Sequence, residues 1–258
     1  MKTLLLFDVD GTLTESRKFI EPNMIKTITK LKSLDNTKIG IVGGSNFEKQ
    51  LEQLGEETLN QFDYVFSENG LVAFKNKNYK LELFHSNNIV QYLGNTHFNK
   101  LINICLYELS RVDCPVKTGT FIETRTGMIN ISPIGRSCSQ MERDNFEQLD
   151  GKYHYRSKLV DCITRQWKQY KNENPIIPNL SFSIGGQISI DIFPEGWDKT
   201  YCLQFIRNAY ERILFFGDKT SQGGNDFEIY NHELTESFTV TNPTDTIEKL
   251  KNLFSIEY

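Results

Sequence analysis

Two carboxylates one residue apart stand in the run Phe7-Asp8-Val9-Asp10-Gly11-Thr12-Leu13, and no other residues in the chain have more chemistry to offer. Leu4 to Phe7 are apolar and drive a strand, so Asp8 and Asp10 leave its end on one side. Gly11 permits a sharp turn, and Thr12 offers a hydroxyl and a backbone N–H to an anion beyond the strand. Like charges this close repel unless a cation lies between them, and hard oxygen ligands suit Mg²⁺. A carboxylate at a Mg²⁺ site facing a phosphate is a candidate nucleophile. A bare DxD reads equally well as a strand followed by an acidic turn. The seven-residue context favours the chemistry.

Three further pieces could serve the same reaction. Lys38 to Val42 reads as a short strand running into Gly43-Gly44-Ser45, where the Ser45 hydroxyl can donate to a transferring phosphoryl oxygen. Lys199 follows Gly196-Trp197-Asp198 and opens the apolar periodic stretch Tyr201 to Ala209. A cation at a helix start opposes the helix dipole, which hints at an anion for it to neutralise. Ile213 to Phe216 reads as a buried strand ending in Gly217-Asp218-Lys219-Thr220, with Gly223-Gly224-Asn225-Asp226 beyond it. These carboxylates fall where α/β sheets bind ligands. Each piece alone is ordinary turn chemistry. Four of them, each at a strand end or a helix start, are far more specific.

The elements that must position these residues alternate: a strand Leu4 to Val9, a helix near Met24 to Leu34, a strand Lys38 to Val42, a helix near Phe47 to Leu54, and a strand Tyr64 to Phe66. Such alternation implies a Rossmann-like α/β core with a parallel sheet and right-handed crossovers. The middle of the chain differs. Thr120 to Thr124 with Met128 to Ser132, and Leu180 to Ile184 with Gln187 to Phe193, read as hairpins, with helices near Phe98 to Arg111, Gln140 to Leu149 and Ser157 to Tyr170. The expected division is a core in two parts, 1–83 and 194–258, interrupted by an α+β cap at 84–193, with the site in a cleft between core and cap.

Composition sets limits on function. Lys plus Arg number 29 and Asp plus Glu 33 in 258 residues, a formal charge of −4, so no overall field exists to hold nucleic acid or an anionic membrane. The five cysteines, Cys105, Cys114, Cys138, Cys162 and Cys202, lack any CxxC spacing, which speaks against a zinc site or a disulfide framework and for reduced thiols in a cytoplasm. Apolar runs are short and the first meets Asp8 at once, so neither a signal peptide nor a membrane span is expected.

The Asp8-to-Leu13 motif and the three pieces that follow it in order resemble the haloacid dehalogenase superfamily, whose members cleave or transfer phosphoryl groups through an aspartyl-phosphate. Within it, Gly119-Thr120-Phe121-Ile122-Glu123, Ser132-Pro133-Ile134-Gly135-Arg136-Ser137-Cys138-Ser139-Gln140 and Ser183-Ile184-Gly185-Gly186-Gln187-Ile188-Ser189 resemble the eukaryotic phosphomannomutase family, as do Phe66 to Ala73 and Gly217 to Thr220. The resemblance implies interconversion of mannose 6-phosphate and mannose 1-phosphate for GDP-mannose synthesis, with Mg²⁺, a hexose 1,6-bisphosphate activator, and a cytoplasmic homodimer joined through the cap. It implies Asp8 as nucleophile and Asp10 as general acid and base, with Asp8, the Asp10 carbonyl and Asp218 holding Mg²⁺. It implies Ser45 and Lys199 as charge stabilisers, and Arg17, Arg125, Arg136, Arg143, Ser189 and Asp191 as phosphate and sugar contacts. Guanidinium forks suit the distal dianion of a bisphosphate. An isolated arginine is equally a solvated charge, although Arg136 follows an apolar strand and a glycine. Ser189 and Asp191 share a strand face that could equally be the polar side of a half-buried sheet.

The family pattern also places a second cation on Tyr230, an acidic residue and Thr235, and this chain has His232 at the acidic position. Imidazole is a poor ligand for Mg²⁺ or an alkali ion, so that site is expected to be weakened. The alternative activity is a phosphatase of the same superfamily acting on sugar phosphates. A non-enzymatic binding module would be marked by loss of the nucleophile or the lysine, and both Asp8 and Lys199 are present.

Overall fold

The structure, a computed structural model, describes residues 2–256. In chain order the elements are β1 (Thr3–Phe7), α1 (Pro22–Lys32), β2 (Thr37–Val42), α2 (Phe47–Leu54), α3 (Glu56–Leu59), β3 (Tyr64–Ser67), β4 (Val72–Lys77), β5 (Lys80–Ser86), α4 (Ile89–Arg111), β6 (Ile122–Thr124) and β7 (Ile129–Ile131). There follow α5 (Gln140–Tyr153), α6 (Tyr155–Glu173), β8 (Leu180–Gly185), β9 (Ser189–Pro194), a 3₁₀ helix at Lys199–Phe205, β10 (Arg212–Gly217), α7 (Phe227–Tyr230), β11 (Glu236–Thr239) and α8 (Pro243–Phe254). They fall into two compact units. The first comprises the chain up to Ser86 together with the residues from Gly196 onward, and the second is Asn87–Glu195.

The first unit is built on a seven-stranded sheet in the order β11-β10-β1-β2-β3-β4-β5. Strand β1 is apolar from Leu4 to Phe7 because both its faces are covered there. Leu5 and Phe7 pack with Met24, Ile28 and Leu31 of α1 and Leu250 of α8, while Leu4 and Leu6 pack on the other side with Leu203 and Ile206. Helix α1 begins on Pro22, whose fixed φ suits the first helical position, and its buried stripe of Met24, Ile28 and Leu31 recurs at helical spacing. Each such side chain removed from water contributes about 1.5–3 kcal/mol. From β11 to β3 the strands are parallel, and the register pairs Phe7 with both Ile41 and Phe216. The segments that follow β1, β2 and β10 therefore leave the sheet side by side.

Strands β4 and β5 pair antiparallel, so the sheet is mixed where the sequence suggested only parallel pairing. The turn of this hairpin places Asn78 and Tyr79 at φ 54° and 63°, a primed turn without glycine, and β5 is largely exposed. Neither the turn residues nor an apolar alternation announces it. Helix α8 and strand β11 are also additions to the elements read from the sequence.

The second unit holds a four-stranded antiparallel sheet, β6-β7-β9-β8, with α4, α5 and α6. Ile129, Ile131, Ile190 and Ile192 are fully buried on one face. The alternate positions Glu123, Asn130, Asp191 and Ser183 form a cross-strand row on the other. Helix α4 starts nine residues before the expected Phe98, with Gly94 non-helical at φ 74° inside it. Helix α5 opens with a capping box between Ser139 and Glu142. The buried Arg156 is matched by Asp150 at 2.7 Å and by the Gly186 carbonyl at 2.7 Å, which ties the start of α6 to the β8–β9 turn.

Candidate active site

Asp8 follows the last residue of β1, and its N–H is fixed by the Phe216 carbonyl at 2.9 Å. The side chain is almost wholly buried and ends 2.6 Å from the Lys199 ammonium, which also lies 2.5 Å from Asp226 Oδ1. Lys199 opens the 3₁₀ helix, where the sequence suggested a longer helical stretch to Ala209; Asp198 caps it by accepting the Thr200 N–H at 2.8 Å. The tight, short helix drives the lysine into the interior, where it is 1 % exposed. Asp226 spends its second oxygen on the Lys219 N–H at 3.0 Å and stands so close to Gly217 that a β-carbon there would meet it at 2.6 Å.

Asp218 completes the cluster. Oxygens of Asp8, Asp218 and Asp226 lie within 4.8 Å of one another. Gly11, at φ 80°, has no β-carbon, and one placed there would run into the Asp218 carboxylate, so the glycine both makes the turn and admits this side chain. Asp218 Oδ1 is buried without a hydrogen-bond partner among the described residues. Three carboxylates share one buried ammonium and the field of the exposed Lys219 beside Asp218, and with a buried oxygen left over there is still room for more positive charge. An all-oxygen set fits Mg²⁺.

Burial raises the Asp8 carboxyl to about 7, against the pull of Lys199, and burial likewise raises Asp218. Lys199 is held above its ordinary value although burial opposes its charge, because it faces two carboxylates; Asp8 must share that one cation with Asp226. A carboxyl whose folded-state value exceeds its unfolded value binds more protons when folded. It therefore costs stability as pH rises from about 4 to about 7. Without metal, the first unit should be more stable at pH 5.5 than at pH 7.5, and added Mg²⁺ should shrink the difference. Urea unfolding in a chelator and in Mg²⁺ checks this, and a stability that rose with pH in the chelator would contradict it.

Asp10 and Ser45 line a small cavity of about 130 Å³ with Asp8, Lys219 and Asn225. Drug-sized ligands fill roughly 300–1,000 Å³, so this space suits a single small polar group. Asp10 Oδ1 accepts the Arg17 backbone N–H at 2.7 Å and Gln53 Nε2 at 2.9 Å. Arg17 is exposed at φ 63°, and it meets Asp10 through its backbone. A larger groove of about 800 Å³ runs between α1 and α8 past Met24 and Ile247, away from the acidic cluster. Charge and burial, not volume, mark the chemistry here.

The remaining predicted contacts lie in the second unit as a cluster of their own. Arg136 donates through Nη1 to Asn130 Oδ1 at 2.6 Å and to Ser189 Oγ at 3.3 Å, and Asn130 Nδ2 donates to Asp191 Oδ1 at 2.6 Å. Arg125 donates twice to Glu123, and Arg143 donates to the Arg136 carbonyl at 3.1 Å. Tyr230 is the last residue of α7, and Thr235 lies in the turn between that helix and β11. The Thr235 hydroxyl lies 2.6 Å from the Ile229 carbonyl and 2.9 Å from that of His232, and His232 Nδ1 accepts the Leu234 N–H at 3.2 Å.

The roles of four residues in these clusters are not given by the sequence: Asp226, read there only as a loop carboxylate where such sheets bind ligands, and Gln53, Glu123 and Asn130. Asp226 closes the quoted Gly223-to-Asp226 run, which was its only signal. The other three declare themselves only through the partners that folding gives them.

The model of a family described as eukaryotic phosphomannomutase matches residues 24–256. The chain is 49% identical over 248 residues to a phosphomannomutase of Dendrobium officinale, covering 96% of this chain and 92% of that one. It is 48% identical over 259 residues to a phosphomannomutase of Schizosaccharomyces pombe, covering 99% and 95%. Among solved structures it is similar to a trehalose-6-phosphate phosphatase of Aspergillus fumigatus, with a TM-score of 0.64 at 14% identity over 99% of this chain and 93% of that one, a likeness of fold.

Proposed function

We propose that this chain, which belongs to the eukaryotic phosphomannomutase family, is an isomerase that interconverts mannose 6-phosphate and mannose 1-phosphate for GDP-mannose synthesis. The observation that carries the reading is the buried Asp8 carboxylate held by Lys199 beside a small polar cavity that Asp10 and Ser45 also line. Asp8 attacks a phosphoryl phosphorus and holds the group as an acyl phosphate. Asp10 takes the proton from the accepting sugar hydroxyl and returns it to the departing one. Ser45 and Lys199 donate to the oxygens that gain charge. Asp8, Asp218 and the Asp10 carbonyl would hold Mg²⁺, which supplies charge neutralisation at the transferring group.

One nucleophile must serve two sugar positions, so the reaction passes through a hexose 1,6-bisphosphate that turns round between transfers. Arg17, Arg125, Arg136 and Arg143 would take the phosphate that is not reacting, with Ser189 and Asp191 on the sugar hydroxyls. The Tyr230–Thr235 loop, with His232 in place of a carboxylate, would hold a second cation weakly or not at all. Exposed Tyr92, Leu106 and Tyr107 on α4 support a homodimer joined through the second unit. Five free cysteines support a reducing cytoplasm, and no helix among the described residues is long and apolar enough to cross a membrane.

The test is an isomerisation assay on mannose 1-phosphate with Mg²⁺, with and without glucose 1,6-bisphosphate. The bisphosphate should remove a lag and raise the rate, with inorganic phosphate released far more slowly. Phosphate release as fast as isomerisation would replace the mutase reading by a sugar-phosphate phosphatase.

A further inference from the structure

Glu123 stands where the two hairpins of the second unit bring their polar face together. One of its oxygens, Oε2, accepts Arg125 Nε at 3.0 Å and Arg125 Nη2 at 2.8 Å, and lies 3.2 Å from Arg136 Nε. Two guanidinium groups thus share a single carboxylate oxygen. Across the sheet Glu123 pairs with Asn130, and Asn130 with Asp191, so the row runs carboxylate, amide, carboxylate. The amide holds Arg136 on one side and Asp191 on the other. Arg143 joins through the Arg136 carbonyl. Three cations are thereby tied to two carboxylates, an excess of one positive charge.

Arginine side chains carry large rotamer entropy, and two of them brought together repel. Without Glu123, Arg125, 38% exposed, would splay into solvent, and Arg136, 28% exposed, would keep only its Nη1 bonds to Asn130 and Ser189 and lose the anchor on Nε. We propose that Glu123 is a positioning residue: its Oε2 atom sets the spacing of the Arg125 and Arg136 forks. Their remaining N–H groups, Arg125 Nη1 and Arg136 Nη2, then meet one phosphate dianion already ordered. The carboxylate repels an incoming phosphate, but at a partly exposed position water screens that term. The saved ordering of two long side chains outweighs it. This inference rests on the mutase reading for its substrate, a hexose phosphate.

The experiment compares wild type with Glu123→Ala and Glu123→Gln, measuring KM and kcat for mannose 1-phosphate at saturating glucose 1,6-bisphosphate. Calorimetry of glucose 1,6-bisphosphate binding to each protein runs beside it. Glu123→Ala should raise KM and the bisphosphate Kd about tenfold, the effect of freeing the Arg125 side chain and loosening that of Arg136. The kcat should change by less than about threefold, as expected when ground-state and transition-state binding are lost together. Glu123→Gln keeps an acceptor oxygen and should recover part of the loss. It also carries the test if the alanine variant fails to fold. Unchanged KM and Kd in a folded variant would remove Glu123 from the binding apparatus, and lower values would make it a competitor of the phosphate; either overturns the proposal. A wild-type protein that binds the bisphosphate but does not isomerise mannose 1-phosphate would sink the mutase reading while leaving the Kd comparison able to judge Glu123.

Discussion

Asp8→Asn should abolish phosphoryl transfer and leave the fold standing. The amide is isosteric, so packing after β1 survives, and Lys199 keeps its 2.5 Å partner Asp226. What disappears is the nucleophile. Removing the attacking group of an enzyme that works through a covalent intermediate costs on the order of 10⁶-fold in turnover. The substitution also removes the buried carboxyl that burial pushes up to about 7, so the pH dependence of stability in a chelator should flatten. The measurements are labelling of the enzyme by a phosphoryl donor, steady-state turnover, and urea unfolding at two pH values. A variant that still forms an acid-stable phosphoenzyme at near wild-type rate would take the nucleophile's role from Asp8.

Lys199→Met should show the next largest effect, and in stability as well as rate. The methionine matches the lysine's apolar stem, but Asp8 and Asp226 would then face each other buried with no cation between them. Breaking a buried ion pair by removing one partner costs about 3–5 kcal/mol. The loss should show as a lower urea midpoint for the first unit, eased by Mg²⁺ or by lowering the pH, since either relieves the uncompensated charge. An unchanged midpoint in a chelator at neutral pH would mean that the ammonium does not hold the cluster together.

Legibility followed the range of each signal. The Asp8-to-Leu13 run, Ser45 after its strand and Asp218 after β10 could be read because each is a local pattern at the end of a buried strand. Lys199 was visible as a cation at a helix start, but the 3₁₀ geometry that buries it was not, since a short apolar stretch does not distinguish 3₁₀ from α. Asp226 could be read as a loop carboxylate, not as the second partner of Lys199, which lies 2.5 Å away across 27 positions of chain. The β4–β5 hairpin stayed hidden because its turn uses Asn78 and Tyr79 and its strands bury little. Gln53 and Asn130 carry no pattern at all, and Glu123 closes the Gly119-to-Glu123 run without showing its role, which exists only once Arg125 and Arg136 are beside it.

Strand β1 lies inside its sheet, third of seven strands, yet one neighbour, β10, comes from far along the chain: Thr3 pairs with Arg212, 209 positions later. Contact order of this kind slows folding, because the entropy of closing the loop is lost before the contact forms. On a ribosome adding roughly 5–20 residues per second, β1 would wait some 10 to 40 s for that partner. Through the interval it is an apolar strand with an open edge, which invites pairing with other nascent chains. Asp218 and Asp226 also follow β10, so the acidic cluster can assemble only after that strand and the loop beyond it have been made. A chain that stopped before β10 would carry Asp8, the turn and Ser45, and lack Asp218 and Asp226, the other two carboxylates of the cluster.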